Sequence, residues 1–342
     1  MLIDGDLSFR NGNIAEHASV VEAQGYDGAW AAETGHDPLL IVAGSAPPTT
    51  TLELGTGIVV AFARSPMITA TMANDVQLLS KGRLLLGLGS QIKPHIEKRY
   101  SMPWSHPAPR MREYVLAMRA IWSCWNEDTK LDFRGEFYKH TLMTPFFNPG
   151  PNPYGAPKVF LAAVGELMTE VAGEVADGLL LHPFTTELYL REVTLPALER
   201  GLARAGRSRA DFQISYSGLV ATGTTTAALE DAKSKVRGQI AFYGSTPAYR
   251  VVLERHGWGA LQGDLNTLSR EGEWEKMGGL IDDDVLHAFS VVASPEDVGL
   301  EVQRRFGDII HRFSLYTPFA LDDDARRTVI KGLRASPSEL YG

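Results

Sequence analysis

One cysteine in 342 residues, Cys124, leaves no internal disulfide to form, and the expected home is a reducing compartment, the cytoplasm. Long apolar runs are missing as well. Leu84–Leu88 and Leu179–Leu181 fall far short of the roughly 20 residues that a membrane-spanning helix needs. The opening Met1-Leu2-Ile3-Asp4-Gly5-Asp6 has neither the basic start nor the apolar core of a secretory signal. Positive charge is in deficit: 33 Lys and Arg stand against 41 Asp and Glu, a formal net charge of −8. That balance argues against a general surface for nucleic acid or acidic lipid, although a few placed donors can still hold an anionic cofactor. The histidines show neither His-x-x-x-His nor two-His-one-carboxylate spacing, so no metal site is expected. Ile92 stands where the third glycine of a dinucleotide fingerprint would follow Gly87-Leu88-Gly89, and no Gly-Lys-Ser/Thr phosphate loop occurs.

What is present is an ordinary globular balance, 44% apolar and 22% charged, arranged as short apolar runs alternating with amphipathic stretches. Strands are predicted at Leu2–Leu7, Tyr26–Glu33, Leu52–Val60, Arg83–Ser90, Lys158–Val164, Asp177–Pro183, Phe212–Val220 and Arg312–Pro318. The third to sixth are nearly continuous apolar or Gly runs, as parallel strands buried on both faces require. Eight strands alternating with helices predict an α/β fold, a single (β/α)8 TIM barrel over residues 1–342. Among the helices, Ser65-Pro66 supplies an N-cap and an N1 proline, Ile14, Ala18 and Val21 form a stripe, and so do Leu167, Val171 and Val175. Ser294-Pro295-Glu296-Asp297 reads as the cap of a helix with Val298, Val302 and Phe306 inward. Two connections are too long for simple loops, residues 91–157 after strand four and 221–311 after strand seven. Both leave C-terminal strand ends, where barrel enzymes build their sites, and are read as walls or lids of a pocket.

The strand ends supply the candidate chemistry. Strand two ends in Glu33-Thr34-Gly35-His36-Asp37, strand three carries Gly55-Thr56-Gly57-Ile58, and strand four ends in Gly87-Leu88-Gly89-Ser90-Gln91. Strand five ends in Val164-Gly165-Glu166 and strand six in His182-Pro183. Glycine inside a strand marks close backbone approach, here either of a flat ring or of a neighbouring element at a tight barrel corner. His36 is a candidate proton donor, or a structural His bonding a loop carbonyl. His95, near Lys93, Lys98 and Arg99, faces either a phosphate or solvent. Asp282–Asp284 and Asp322–Asp324 resemble magnesium bait, but each precedes a helical pattern and fits N-cap acids. Cys124, between Trp122 and Trp125, reads as core.

Arg64-Ser65-Pro66 through Ala70, followed by Leu78-Leu79-Ser80-Lys81-Gly82-Arg83-Leu84-Leu85-Leu86-Gly87-Leu88-Gly89-Ser90-Gln91, resembles the bacterial luciferase-like superfamily. The run Gly89-Ser90-Gln91-Ile92-Lys93-Pro94-His95-Ile96-Glu97-Lys98-Arg99-Tyr100 is most similar to its actinobacterial branch, which uses the deazaflavin coenzyme F420. Ala176-Asp177-Gly178 before Leu179-Leu180-Leu181, preceded by a helix opening at Gly165, resembles the same superfamily. The resemblance implies a (β/α)8 barrel, a homodimer formed through its early helices, and a cofactor ring at the C-terminal strand ends. It implies a non-proline cis peptide at Gly57-Ile58 behind the ring and places His36 near the reactive carbon. It gives the phosphate to the helix start at Gly165 and Glu166, and the acidic tail to Lys93 or His95. Ser90 and Gln91 line the cofactor in this reading, with Glu33, Val164 and His182 from the other strand ends. The implied activity is hydride transfer between F420 and a small organic substrate, with His36 handling the proton. An FMN-dependent monooxygenase of the same fold and a non-catalytic flavin or deazaflavin carrier are the alternatives. Gln91 and His182 replace a Glu and a Lys of the superfamily's sugar-phosphate dehydrogenases, so a glucose-6-phosphate substrate is not expected.

Overall fold

The computed structural model describes residues 1–9 and 12–335. Its strands are β1 (Leu2–Leu7), β2 (Gly28–Ala31), β3 (Glu53–Thr56), β4 (Val59–Val60), β5 (Leu84–Gly89), β6 (Phe133–Arg134), β7 (Lys139–His140), β8 (Lys158–Ala163), β9 (Gly178–Leu181), β10 (Gln213–Ala221), β11 (Ser290–Val292) and β12 (Arg312–Tyr316). The main sheet has the order β11-β10-β12-β1-β2-β3-β5-β8-β9, with β9 also paired to β10. Its strands pair in parallel, as with Asp4 opposite Gly28 and Ser215 opposite Arg312. Omitting β4 and β11, which pair β5 and β10, leaves eight parallel strands in the order of a (β/α)8 barrel. These eight are the eight predicted from apolar runs. β5, Leu-Leu-Leu-Gly-Leu-Gly, is buried at every residue, as a strand covered on both faces must be.

The described residues group into two compact units, one of residues 4–180 and 197–213, the other of 1–3, 181–196 and 214–335. The first contains helices α1 (Ile14–Ala23), α2 (Pro38–Ser45), α3 (Pro66–Leu79), α4 (Pro107–Glu127) and α5 (Glu166–Val175). Local chemistry starts and stops these helices. The Ser65 hydroxyl accepts from the Ile68 N–H at 3.3 Å with Pro66 at the first helical position, and Asp37 caps α2 through the Leu39 N–H at 2.9 Å. After α3 the chain turns through Lys81 and Gly82, both at positive φ, and only Gly takes φ +88° without penalty. Cys124 is buried in α4, as expected of a core residue.

Several expectations need adjusting. Predicted strand three splits into β3 and β4 around a cis peptide at Gly57–Ile58, the position that the family resemblance implied. The stripe on α5 holds for Val171 and Val175, whereas Leu167 in its first turn is exposed. The residue 91–157 connection is α4 plus the β6–β7 hairpin. The 221–311 connection holds, besides its helices, the short strand β11, which was not predicted. The predicted cap of the helix Val298–Phe306 is present: Asp297 is its N-cap, the Ser294 carbonyl accepts from the Val298 N–H at 3.1 Å, and the Ser294 hydroxyl donates to the Asp297 carboxylate. Asp282 and Asp322 are N-caps, accepting from the Val285 and Ala325 N–H groups. Among the described residues no helix is long and apolar enough to cross a membrane.

Candidate active site

The first unit holds every candidate residue except His182, at or just beyond the ends of β2, β3, β5 and β8. Glu33 is almost out of solvent, at 7% exposure, and its carboxylate is fully engaged by the protein. It accepts from the Val60 N–H at 2.7 Å, from Arg64 Nη1 at 2.8 and 3.0 Å, and from the Tyr100 hydroxyl at 2.9 Å. Arg64 reaches on to Asp37 at 2.7 Å, and Asp37 is the cap of α2. Burial works against the guanidinium charge, but the bonds to Glu33 and Asp37 outweigh it and raise the Arg64 pKa. Burial and the neighbouring Glu33 likewise push the Tyr100 phenol up, so it stays a donor. One ion network thus ties β2, β4, the start of α2 and the turn after β5 together. With this many acceptances, Glu33 shapes the strand end and has little left to offer a cofactor.

His36 lies between the two anchored acids. Its ring is exposed and stacked on Phe9 at 4.5 Å, and its nitrogens have no hydrogen-bond partner among the described residues. The alternative of a structural His bonded to a loop carbonyl does not apply to this geometry. Arg99 donates to the Thr34 carbonyl, so the turn that opens the residue 91–157 connection walls this strand end.

The in-strand glycines divide by what they face. A Cβ on Gly55 would lie 2.2 Å from the Trp30 ring, one on Gly87 would lie 1.8 Å from the Thr56 carbonyl oxygen, and one on Gly89 would lie 2.9 Å from Ile58. These three are glycine because neighbouring protein fills the space, which settles the open alternative in favour of packing. Gly57 is different: it is exposed, with nothing closer to its Cβ position than Trp30 at 3.5 Å. Beside it the β3–β5 ladder ends at Gly55–Leu85 and resumes with β4 at Val59–Leu88. The buried Thr56 hydroxyl bridges the break, accepting from the Gly87 N–H at 2.9 Å and donating to the Gly87 carbonyl at 2.8 Å.

After β5, Gln91 adopts φ +59°, and its side-chain oxygen accepts from the Ile92 N–H at 3.0 Å while Ser90 donates to the Gln91 carbonyl. The side-chain NH2 of Gln91 has no partner among the described residues. Lys93 is exposed and 3.8 Å from Glu97, and His95 is exposed at the start of a one-turn π-helix, His95–Arg99. At the end of β8, Val164 is half-buried and Gly165 caps α5 with no side-chain hydrogen bond and open space where its Cβ would be. Glu166 turns away, pairing with Arg200 at 2.7 Å, so what this helix start offers is its backbone N–H groups.

His182 belongs to the second unit, one residue beyond β9. It receives the Phe184 N–H on Nδ1 at 3.0 Å, and its Nε2 is 3.1 Å from the Tyr249 hydroxyl. Burial pulls its pKa down to about 4, so the ring is neutral at physiological pH. Its ring packs against Tyr243 at 4.8 Å and Tyr249 at 4.4 Å, and the Tyr243 hydroxyl meets that of Tyr316 at 3.1 Å.

Residues 5–309 match the family model described as luciferase-like monooxygenase. The chain belongs to this luciferase-like family. An uncharacterized protein of Mycobacterium tuberculosis is 56% identical over 310 residues, 91% of each chain. The 5,10-methylenetetrahydromethanopterin reductase of Archaeoglobus fulgidus is 28% identical over 292 residues, 82% of each. Among solved structures, the coenzyme F420-dependent tetrahydromethanopterin reductase of Methanopyrus kandleri superposes with a TM-score of 0.77 at 21% identity, covering 99% of both chains. The luciferase-like fold, a (β/α)8 barrel, is thereby established, and so is membership of a family of oxidoreductases.

Against that family frame, the strand-end residues predicted from sequence fall at strand ends in the structure. Reasoning from sequence missed the engaged state of Glu33, whose partners Arg64 and Tyr100 lie 31 and 67 positions away. It also missed Tyr243 and Tyr249, which no motif singles out and which the long connection brings to His182, and Tyr316 of β12, which meets Tyr243.

Proposed function

We propose that this luciferase-like protein passes a hydride between coenzyme F420 and a small organic substrate. The observation that carries the reading is His36: an exposed imidazole at a C-terminal strand end, unpartnered among the described residues, backed by Phe9 and flanked by the anchored Glu33 and Asp37. An imidazole so placed can serve as a proton donor or acceptor to a bound substrate. The residues present fit a flat, phosphate-bearing cofactor, with exposed backbone at Gly57, the unpartnered Gln91 amide and the uncapped start of α5. When bound, a deazaflavin supplies a two-electron hydride site, so no side chain has to carry electrons.

The chain's own part is binding, orientation and the proton. The N–H groups of Gly165 and Glu166 would hold the phosphate, Gly57 and Ile58 would set the depth of the ring, and Ser90 and Gln91 would bond its polar edge. Val164 adds apolar wall, and Lys93 or His95 would meet the acidic tail. The F420 dependence named for the Methanopyrus kandleri neighbour supports this choice of cofactor. The luciferase-like monooxygenase description of the family favours a second reading, reduced FMN with O2. Turnover separates them. Hydride transfer from reduced F420 to an organic acceptor proceeds without oxygen uptake, whereas stoichiometric oxygen consumption with reduced FMN would refute the proposal. A carrier would bind and never turn over. We also infer a cytoplasmic homodimer through the early helices, where Leu40 and Ile68 are more than half exposed; sedimentation at the monomer mass would exclude it.

A further inference from the structure

The second unit holds a cavity of about 500 Å³ that the hydride reading does not use. Its walls come mostly from residues 186–188 after β9, from β11 and the helix Asp283–Phe289 before it, and from the helix Val298–Phe306. Every lining residue belongs to that unit, and none is a strand-end residue assigned to the cofactor.

Arg305 sets the chemistry of the cavity. It is only 7% exposed, with Nη1 donating to the Ser290 carbonyl and Nη2 to the Ala288 carbonyl, both at 2.8 Å. That uses two of the five N–H groups of a guanidinium, and Arg305 makes no other hydrogen bond among the described residues. Oε2 of Glu187 stands 3.8 Å from its Nε, too far to accept a hydrogen bond. The other Glu187 oxygen is taken by Arg191 Nε at 2.9 Å, and Arg191 in turn clasps Asp308, so Oε2 keeps its acceptor capacity. A charged donor and a charged acceptor thus line one cavity without bonding each other. Glu301 and Arg304, also in the wall, pair at 2.7 and 2.8 Å. The bonds from Arg304 hold the Glu301 carboxyl below the usual carboxylate range, with help from the charges of Arg305 and His287.

Two carboxylates and two guanidiniums therefore share the wall, and their charges cancel. A simple anion drawn to Arg305 would lie against Glu187 and Glu301, and a simple cation drawn to the carboxylates would lie against Arg304 and Arg305. A zwitterion meets both signs. An α-amino acid carries ammonium and carboxylate on one carbon, so a single head group reaches a donor and an acceptor 3.8 Å apart. Leu188, Ala288 and Val292 supply apolar wall, and the volume lies in the range of small-molecule sites.

We propose that this cavity binds an α-amino acid with an apolar side chain, its carboxylate on Arg305 and its ammonium on Glu187 and Glu301. Binding there needs neither F420 nor the residues of the first unit.

The test uses the full chain and three probes of one shape: leucine, 4-methylpentanoate, which lacks the ammonium, and 3-methylbutylamine, which lacks the carboxylate. In calorimetric titration leucine should bind, and each half-probe should bind about tenfold or more weakly, the worth of one charge-assisted hydrogen bond. Arg305 also ties two backbone carbonyls, so the decisive variant is Glu187→Gln, half-buried and checked for fold by circular dichroism. It should lose about tenfold in leucine affinity and none for 4-methylpentanoate. His287, bonded through Nδ1 to the Asp283 carbonyl at 2.7 Å, also lines the cavity. Its ring signal in a ¹H–¹³C spectrum, identified with His287→Gln, should shift with leucine. Half-probes bound as tightly as leucine, no leucine binding at millimolar concentration, equal leucine affinity in Glu187→Gln, or an unmoved His287 signal would each overturn the site.

Discussion

Replacing Thr56 by Val changes one hydroxyl for a methyl of nearly the same size, at a site with no solvent exposure. The hydroxyl spans the gap where β3 leaves β5, bonding both the N–H and the C=O of Gly87. A methyl there keeps the packing volume and leaves two buried backbone groups without partners, each worth about 1–3 kcal/mol. Thr56→Val should therefore lower the unfolding free energy by about 2–6 kcal/mol. Thr56→Ser keeps both bonds and loses one methyl, for about 1 kcal/mol. Urea unfolding of the three proteins measures the ranking. Because Thr56 directly precedes Gly57, Thr56→Val should also weaken F420 binding while Thr56→Ser leaves it near wild type. If Val and Ser variants were equally stable, the hydroxyl bridge would be wrong, and with it the account of how Gly57–Ile58 is held.

Gly87→Ala places a Cβ 1.8 Å from a backbone oxygen that cannot move freely, so little soluble, folded protein should be recovered; a variant of normal melting temperature would refute the packing argument. His36→Ala should bind F420 as tightly as wild type but turn over about 10²–10⁴-fold more slowly, the usual contribution of a general acid or base; equal rates would remove its proton role. Stability should also drain in mild acid because of His182. Its pKa of about 4 in the fold lies below the ordinary 6.5, so only the unfolded chain takes up the proton between these values. The stabilisation is complete above about pH 6.5 and falls as pH drops toward 4, by at most about 3 kcal/mol. Parallel pH profiles for wild type and His182→Gln would contradict this.

The barrel was legible because its strands are buried on both faces and leave unbroken apolar runs such as Leu84–Leu88. Helix starts were legible where one side chain does the capping, at Ser65, Asp282 and Asp322. The roles of the glycines were illegible, because Gly57 and Gly87 look alike in sequence and differ only in what stands opposite them. Glu33 was misjudged for the same reason: a carboxylate at a strand end reads as a ligand until Arg64 and Tyr100 are seen to occupy it. The family motif carried what spacing could not, above all the place of the cis peptide.

The central claim is the cofactor, and titration of the purified protein with F420 and, separately, with FMN tests it most directly through cofactor fluorescence. Saturable F420 binding at micromolar levels or below, with FMN much weaker, is the expected result. Tighter binding of FMN would contradict the account and move the protein to the monooxygenases, and binding of neither would remove the site built around His36, Gly57 and Gly165.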